Sequence, residues 1–148
     1  MNDAEILDAL MDDVMETVAE LPDIARVLRS TDATDLVIRD AEGQLPAVGV
    51  ADVEFAPTGG RIAIGQKRFQ GRVEFEVTIA APAVGSSSAA GRDLIRATLG
   101  VINKRLDYKL TPFNTRFSFL GFAYQDQPRL DAVVGVVRFG ADAYFGQE

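Results

Sequence analysis

Cysteine and histidine are both missing from this 148-residue sequence, and each absence removes a class of chemistry. Without cysteine there is no disulfide, no thiolate nucleophile and no thiolate metal site. Without histidine the chain lacks the side chain most used for acid–base work near neutral pH, which is also the commonest metal ligand. Long apolar runs are missing too. None approaches the roughly 20 residues needed to cross a bilayer, and the N-terminus is acidic where a secretory signal would carry Lys or Arg. The chain is therefore expected to be made and kept in a cytoplasm-like compartment, without a membrane partner. These gaps point away from catalysis and toward binding and assembly; no enzymatic activity, cofactor or metal is expected.

What is present suffices for one core. With 47% hydrophobic residues, the chain reads as a single domain spanning residues 1–148. Its net charge of −7 is unevenly placed. Asp3, Glu5, Asp8, Asp12, Asp13, Glu16, Glu20 and Asp23 come with no base among them, and the remaining 14 acids stand against 15 Lys and Arg. The acidity thus belongs to one element at the start, whereas a nucleic-acid reader usually carries a basic stripe.

That element, residues 3–21, places Ile6, Leu7, Leu10, Met11, Val14, Val18 and Leu21 at helical spacing with acids opposite. Its acidic side is either a solvated surface or a face that meets a basic partner or lines a passage through which DNA slides without sticking. Pro22 interrupts the pattern, and Asp23 to Leu28 reads as a second short helix. The period then changes to that of a strand. Leu36 to Arg39 and Val48 to Phe55 read as a hairpin turning at Glu42 and Gly43, with Val53 and Phe55 on one side and Asp52 and Glu54 on the other. Gly71 to Ala81 alternates most cleanly, Val73, Phe75, Val77 and Ile79 against Arg72, Glu74, Glu76 and Thr78. After a small-residue linker with possible caps at Ser86 to Ser88, residues 89–106 form a second amphipathic helix. Its apolar positions are Leu94, Ile95, Leu99, Val101, Ile102 and Leu106, its outer cations are Arg92, Arg96, Lys104 and Arg105, and Pro112 is its expected stop. Strands at Arg116 to Tyr124 and Ala132 to Tyr144 follow, with Gln125 to Pro128 turning between them. The expected class is α+β, an antiparallel sheet of about four to six strands with both helices on one face.

Candidate chemistry is sparse. Gly59 to Lys67 lacks the glycine before the lysine and the Ser or Thr after it that a phosphate loop requires. Ser86 to Ser88 have no histidine to activate them. The carboxylate pairs Asp12–Asp13 and Glu74–Glu76 read as surface charge with no reason for shifted pKa values. The leading interaction candidate is residues 57–70, the end of a long hairpin or a loop that orders on contact, with Arg61, Lys67, Arg68, Phe69 and Arg72 as its contact residues. One aromatic among four cations suits a docked protein, the acidic helix of a neighbouring subunit, or a single nucleic-acid strand. The last strand is apolar on both faces, with Val133, Val137 and Phe139 on one and Val134 and Val136 on the other. A subunit interface at Val134, Val136, Arg138 and Tyr144 is the more economical explanation of its second face.

The order of features resembles that of the tail terminator (tail completion) proteins of long-tailed bacteriophages, including the Mu-like type. The likeness lies in an amphipathic N-terminal helix, central strands, the cationic helix around Leu94 to Leu106, a strand such as Arg116 to Phe122, a turn, and a long strand ending near Tyr144. It spans most of the chain as a pattern without a signature motif. The resemblance implies a non-enzymatic virion protein in the tail or neck, assembled in the host cytoplasm. It would form a homo-oligomeric ring, usually a homohexamer, on the last ring of the tail tube, meeting the tail tube protein below and a head–tail connector or neck protein above. DNA would pass through its lumen without specific binding. Residues 57–70 match no pattern of that family, which leaves another neck or minor tail component as an alternative, beside a single-stranded nucleic-acid-binding module.

Overall fold

The computed structural model describes residues 2–20, 26–29, 47–57, 69–82, 89–124 and 132–146. In chain order these form helix α1 (Asp3–Ala19), strands β1 (Arg26–Arg29), β2 (Ala47–Pro57) and β3 (Phe69–Pro82), helix α2 (Ala89–Leu106), and strands β4 (Ser118–Tyr124) and β5 (Ala132–Phe145). The strands make one five-stranded sheet in the order β1-β2-β3-β5-β4. Both helices cover the same face, giving the expected α+β class.

α1 begins where Asn2 accepts a hydrogen bond from the Glu5 N–H through Oδ1 at 2.9 Å, and acids in its first turn suit the positive end of the helix dipole. It buries Ile6, Leu10, Met11, Val14, Thr17 and Val18, and the Thr17 hydroxyl donates back to the Asp13 carbonyl. Against them stand Val48 and Val50 of β2, Val73, Phe75, Val77 and Ile79 of β3, and Val137, Phe139 and Ala141 of β5. Each fully buried side chain of this size contributes on the order of 1.5–3 kcal/mol. α2 adds a narrow stripe of Ile95, Thr98, Ile102 and Leu106, leaving Leu94 and Val101 exposed. It seats against Gly135 of β5, where an added Cβ would lie 2.5 Å from Ile95 Cγ2.

Several expectations need correction. Where a short second helix was expected at Asp23 to Leu28, Arg26–Arg29 is a strand, paired in parallel with Ala47–Val50. So short a segment cannot meet the cost of helix nucleation, whereas a ladder supplies its hydrogen bonds from a neighbour. Leu36 to Arg39 and the turn at Glu42 and Gly43 lie outside the described residues. Within β2, Ala47–Val50 is bonded to β1 on one side and β3 on the other. A register shift between Asp52 and Glu54 breaks the expected alternation, setting Asp52 against Phe75 but Glu54 against Glu74.

A second shift, between Phe119 and Gly121, moves β4 from the Phe117–Phe119 phase to Phe122 and Tyr124. β4 begins at Ser118, and Arg116 makes only an isolated bridge with Leu110. α2 ends at Leu106, well before Pro112. Its stop is Tyr108, left-handed at φ 63°, whose N–H donates to the Phe117 carbonyl at 2.8 Å. The expected turn at Gln125 to Pro128 and caps at Ser86 to Ser88 lie outside the described residues.

Candidate interaction surfaces

The face of the sheet away from the helices is the first candidate. Along β3 and β5 its rows pair Gln70 with Tyr144, Arg72 with Asp142, Glu76 with Arg138, Thr78 with Val136 and Ala80 with Val134. At one end this face is apolar and closed, with Ala80 and Val134 fully buried and Val136 6% exposed within the single chain. Of the residues expected at a subunit interface, Val134 and Val136 therefore offer a neighbour almost no surface, while Arg138 and Tyr144 are exposed. The middle of the face is charged. Arg138 reaches Glu76 at 3.6 Å and, with Gly121, Phe122, Ala123 and Val136, the pair lines a shallow hollow of about 270 Å³.

Beside it Glu74 faces Glu54 across β2. The hydrogen bond between the two carboxyls, then burial, then the Glu54 charge push Glu74 above its ordinary value, against the pull of Arg138 and Arg72. The acids were expected to be unperturbed. The register that brings Glu54 opposite depends on the β2 bulge, which no local pattern announces.

A second candidate lies where β2 enters and β3 leaves residues 58–68. Phe55, Phe69 and Phe145 form an aromatic cluster with ring centroids 4.7 to 6.1 Å apart. Gly71 lies beneath it; a Cβ there would come within 2.6 Å of the Phe55 ring and 2.8 Å of Phe145. Of the five residues expected to make contacts, Arg61, Lys67 and Arg68 lie outside the described residues, and Phe69 and Arg72 are described. Phe69 packs on its aromatic neighbours instead of presenting a free ring. Arg72 lies half-buried across Gly140, and its Nε and the Oδ1 of Asp142 are buried without a hydrogen-bond partner among the described residues. Phe55 is 44% exposed, so the cluster keeps an open apolar margin.

The third candidate is the outer side of the helices. α1 exposes Glu5, Asp12, Glu16 and Glu20, and its last turn contains no base. Two of its acids instead work within the fold. Asp13 takes both oxygens to Lys109 Nζ at 2.9 Å, and Asp3 Oδ1 accepts the Gly146 N–H at 2.9 Å. α2 exposes Arg96, Lys104 and Arg105, with Arg92 placed over the Tyr124 ring at 4.5 Å. Just beyond α2, Tyr108 is 71% exposed and Leu110 48%. The left-handed backbone of Tyr108, held also by Arg116 Nη1 on its carbonyl at 2.7 Å, displays a large ring to solvent at a conformational cost of about 1–2 kcal/mol. Sequence reasoning missed this residue. Nothing in its neighbourhood marks a left-handed site, which is rare for an aromatic. Among the described residues, no cluster of three or more acids is placed to hold a metal ion.

The fold and these surfaces define a class, a small α+β protein with one sheet, both helices on one face and charged outer surfaces. No protein-family model matches the sequence, and no curated protein does. Among solved structures, a chain of the virion of a native gene transfer agent particle has a TM-score of 0.60 over 93% of this chain and 96% of its own, at 14% identity. A second solved chain has a TM-score of 0.57 at 16% identity and covers 100% of this chain and 99% of its own. Both likenesses run end to end, so the same architecture is shared in full and not as a fragment.

Proposed function

We propose that this chain is a structural virion protein, a tail terminator that forms a homo-oligomeric ring capping the tail tube and joining it to the head or neck. The observation that carries the reading is the end-to-end likeness to a chain of a gene transfer agent virion, 93% of one chain on 96% of the other. Sequence order points the same way through its resemblance to tail terminators, and the lack of histidine and cysteine fits a protein that works by contact. In such a ring the exposed Arg138 and Tyr144 and the margin of the Phe55 cluster are surfaces for neighbours, and Arg61, Lys67 and Arg68 belong to a segment suited to reach the tube or the next subunit. The partners would be a second copy of the chain, the tail tube protein and a connector or neck protein, with DNA passing through the centre.

The single-strand-binding alternative loses support, since its one aromatic platform, Phe69, is engaged with Phe55 and Phe145. Negative-stain imaging of tail tubes mixed with gold-labelled protein tests the proposal. Label at one end of each tube, with growth arrested there, is the expected result; label along the tube or at neither end contradicts it.

A further inference from the structure

α1 packs over β1 and β2 and α2 over β3 and β5, side by side on one face of the sheet. Their solvent sides are of opposite charge. On α1, Asp8, Asp12, Glu16 and Glu20 follow one another at i,i+4 with no base between them. Like charges at that spacing destabilise a helix by roughly 0.2–0.5 kcal/mol per pair. Glu16 and Glu20 also stand at the negative end of the dipole, where a cation is favoured. Nothing in the described fold relieves this repulsion at Asp12 and Glu16, which point away from the sheet. α2 supplies the complement in Arg96, Lys104 and Arg105. Between its cations lie Leu94, 36% exposed, and Val101, 44% exposed. Ala97 and Gly100 are exposed as well, and nothing comes within 4 Å of a Cβ built on Gly100. Small residues at the centre of a helix surface let a second helix approach closely, and exposed apolar side chains beside them reward the approach.

We propose that the acidic face of α1 docks on the basic, partly apolar face of α2 in a second copy of this chain. The proposal rests on the ring reading and gives it a contact surface. The contact can be made twice in an isologous pair, each α1 on the other copy's α2, or repeated head-to-tail, and the ring reading takes the second arrangement. Head-to-tail contacts between unlike faces are the kind that close into rings, whereas a wild type that stops at a dimer would uphold the surface and overturn the ring reading. The attraction weakens as salt rises, because exposed charges are screened over about 8 Å at physiological ionic strength.

The test uses the full chain in three forms, wild type, Asp12→Lys with Glu16→Lys, and Arg96→Glu with Lys104→Glu, each checked for folding by circular dichroism. Sedimentation velocity reads the assembly. Wild type is expected to assemble, each variant alone to need roughly tenfold or more higher concentration, and an equimolar mixture of the two variants to recover assembly. Recovery is expected because each protomer then meets only complementary neighbours, in a ring of alternating and therefore even composition. If wild type assembles and the folded variants assemble equally well alone, or if the mixture gains nothing, the surface is wrong while the ring reading stands. A wild-type chain that stays monomeric at every concentration overturns both.

Discussion

The two helices pack alike and present themselves differently. Each buries a row of aliphatic side chains on the same sheet face, Ile6, Leu10 and Val14 from α1 and Ile95, Ile102 and Leu106 from α2. Outward, α1 is acidic to its last turn, where α2 ends in Lys104 and Arg105 as the dipole favours. The inward rows are explained by the fold of a single chain. The outward charge of α1 is not, since it opposes the helix that carries it. The difference separates the residues that make the protomer from those available to make an assembly.

Breaking the shared inward half has the largest expected effect. Leu10→Ala on α1 and Ile102→Ala on α2, both fully buried, are each expected to cost about 2–5 kcal/mol in urea unfolding, with assembly lost only because the protomer is lost. Similar costs would sharpen the view that the helices are equal partners in the core. A much smaller cost for one would show that its helix packs loosely.

The bond from α1 to the segment that follows α2 comes next. Asp13→Asn removes the partner of Lys109, two contacts of 2.9 Å between partly exposed groups. It is expected to cost about 1 kcal/mol or less, with a smaller difference from wild type in high salt.

The same kind of like-charge conflict seen on α1 recurs on the open sheet face between Glu54 and Glu74. Because the folded chain raises the Glu74 pKa above 4.5, the fold binds a proton more readily than the unfolded chain. This group's contribution to stability is then fullest below the unfolded value and is lost as pH rises through the folded one. Glu54→Gln removes the opposing charge and is expected to raise stability at neutral pH by roughly 0.2–1 kcal/mol, and to flatten the pH dependence of the urea midpoint between acidic and neutral pH.

A stability effect of similar size is the most discriminating. Glu16→Gln with Glu20→Gln relieves the end of α1 and is expected to stabilise the isolated protomer by about 0.3–1 kcal/mol, read as a raised thermal midpoint at low salt. If the acidic face serves assembly, the same variant assembles less well. A gain in stability with unchanged assembly would return that face to the role of a solvated surface.

Much of this was legible in the sequence where a strong period ran uninterrupted. The alternation of Val73, Phe75, Val77 and Ile79 and the apolar spacing of α1 declared the core row and the helix because burial on one face imposes those periods. Interruptions were not legible. The shifts at Asp52/Glu54 and Phe119/Gly121, the parallel strand Arg26–Arg29 and the left-handed Tyr108 are each fixed by a partner far along the chain. The candidate surfaces divide in the same way. The acidic and basic helix faces could be read from composition and period. The burial of Val134, the packing of Phe69 among Phe55 and Phe145, and the proximity of Glu54 to Glu74 depend on register and required the fold.

The central claim is that this chain is a ring subunit, and the mass of the purified protein in solution tests it most directly. Native mass spectrometry of the full chain at physiological ionic strength is expected to give one closed oligomer, with six protomers as the family resemblance implies, that dissociates as salt is raised. A clean monomer at high protein concentration would contradict it.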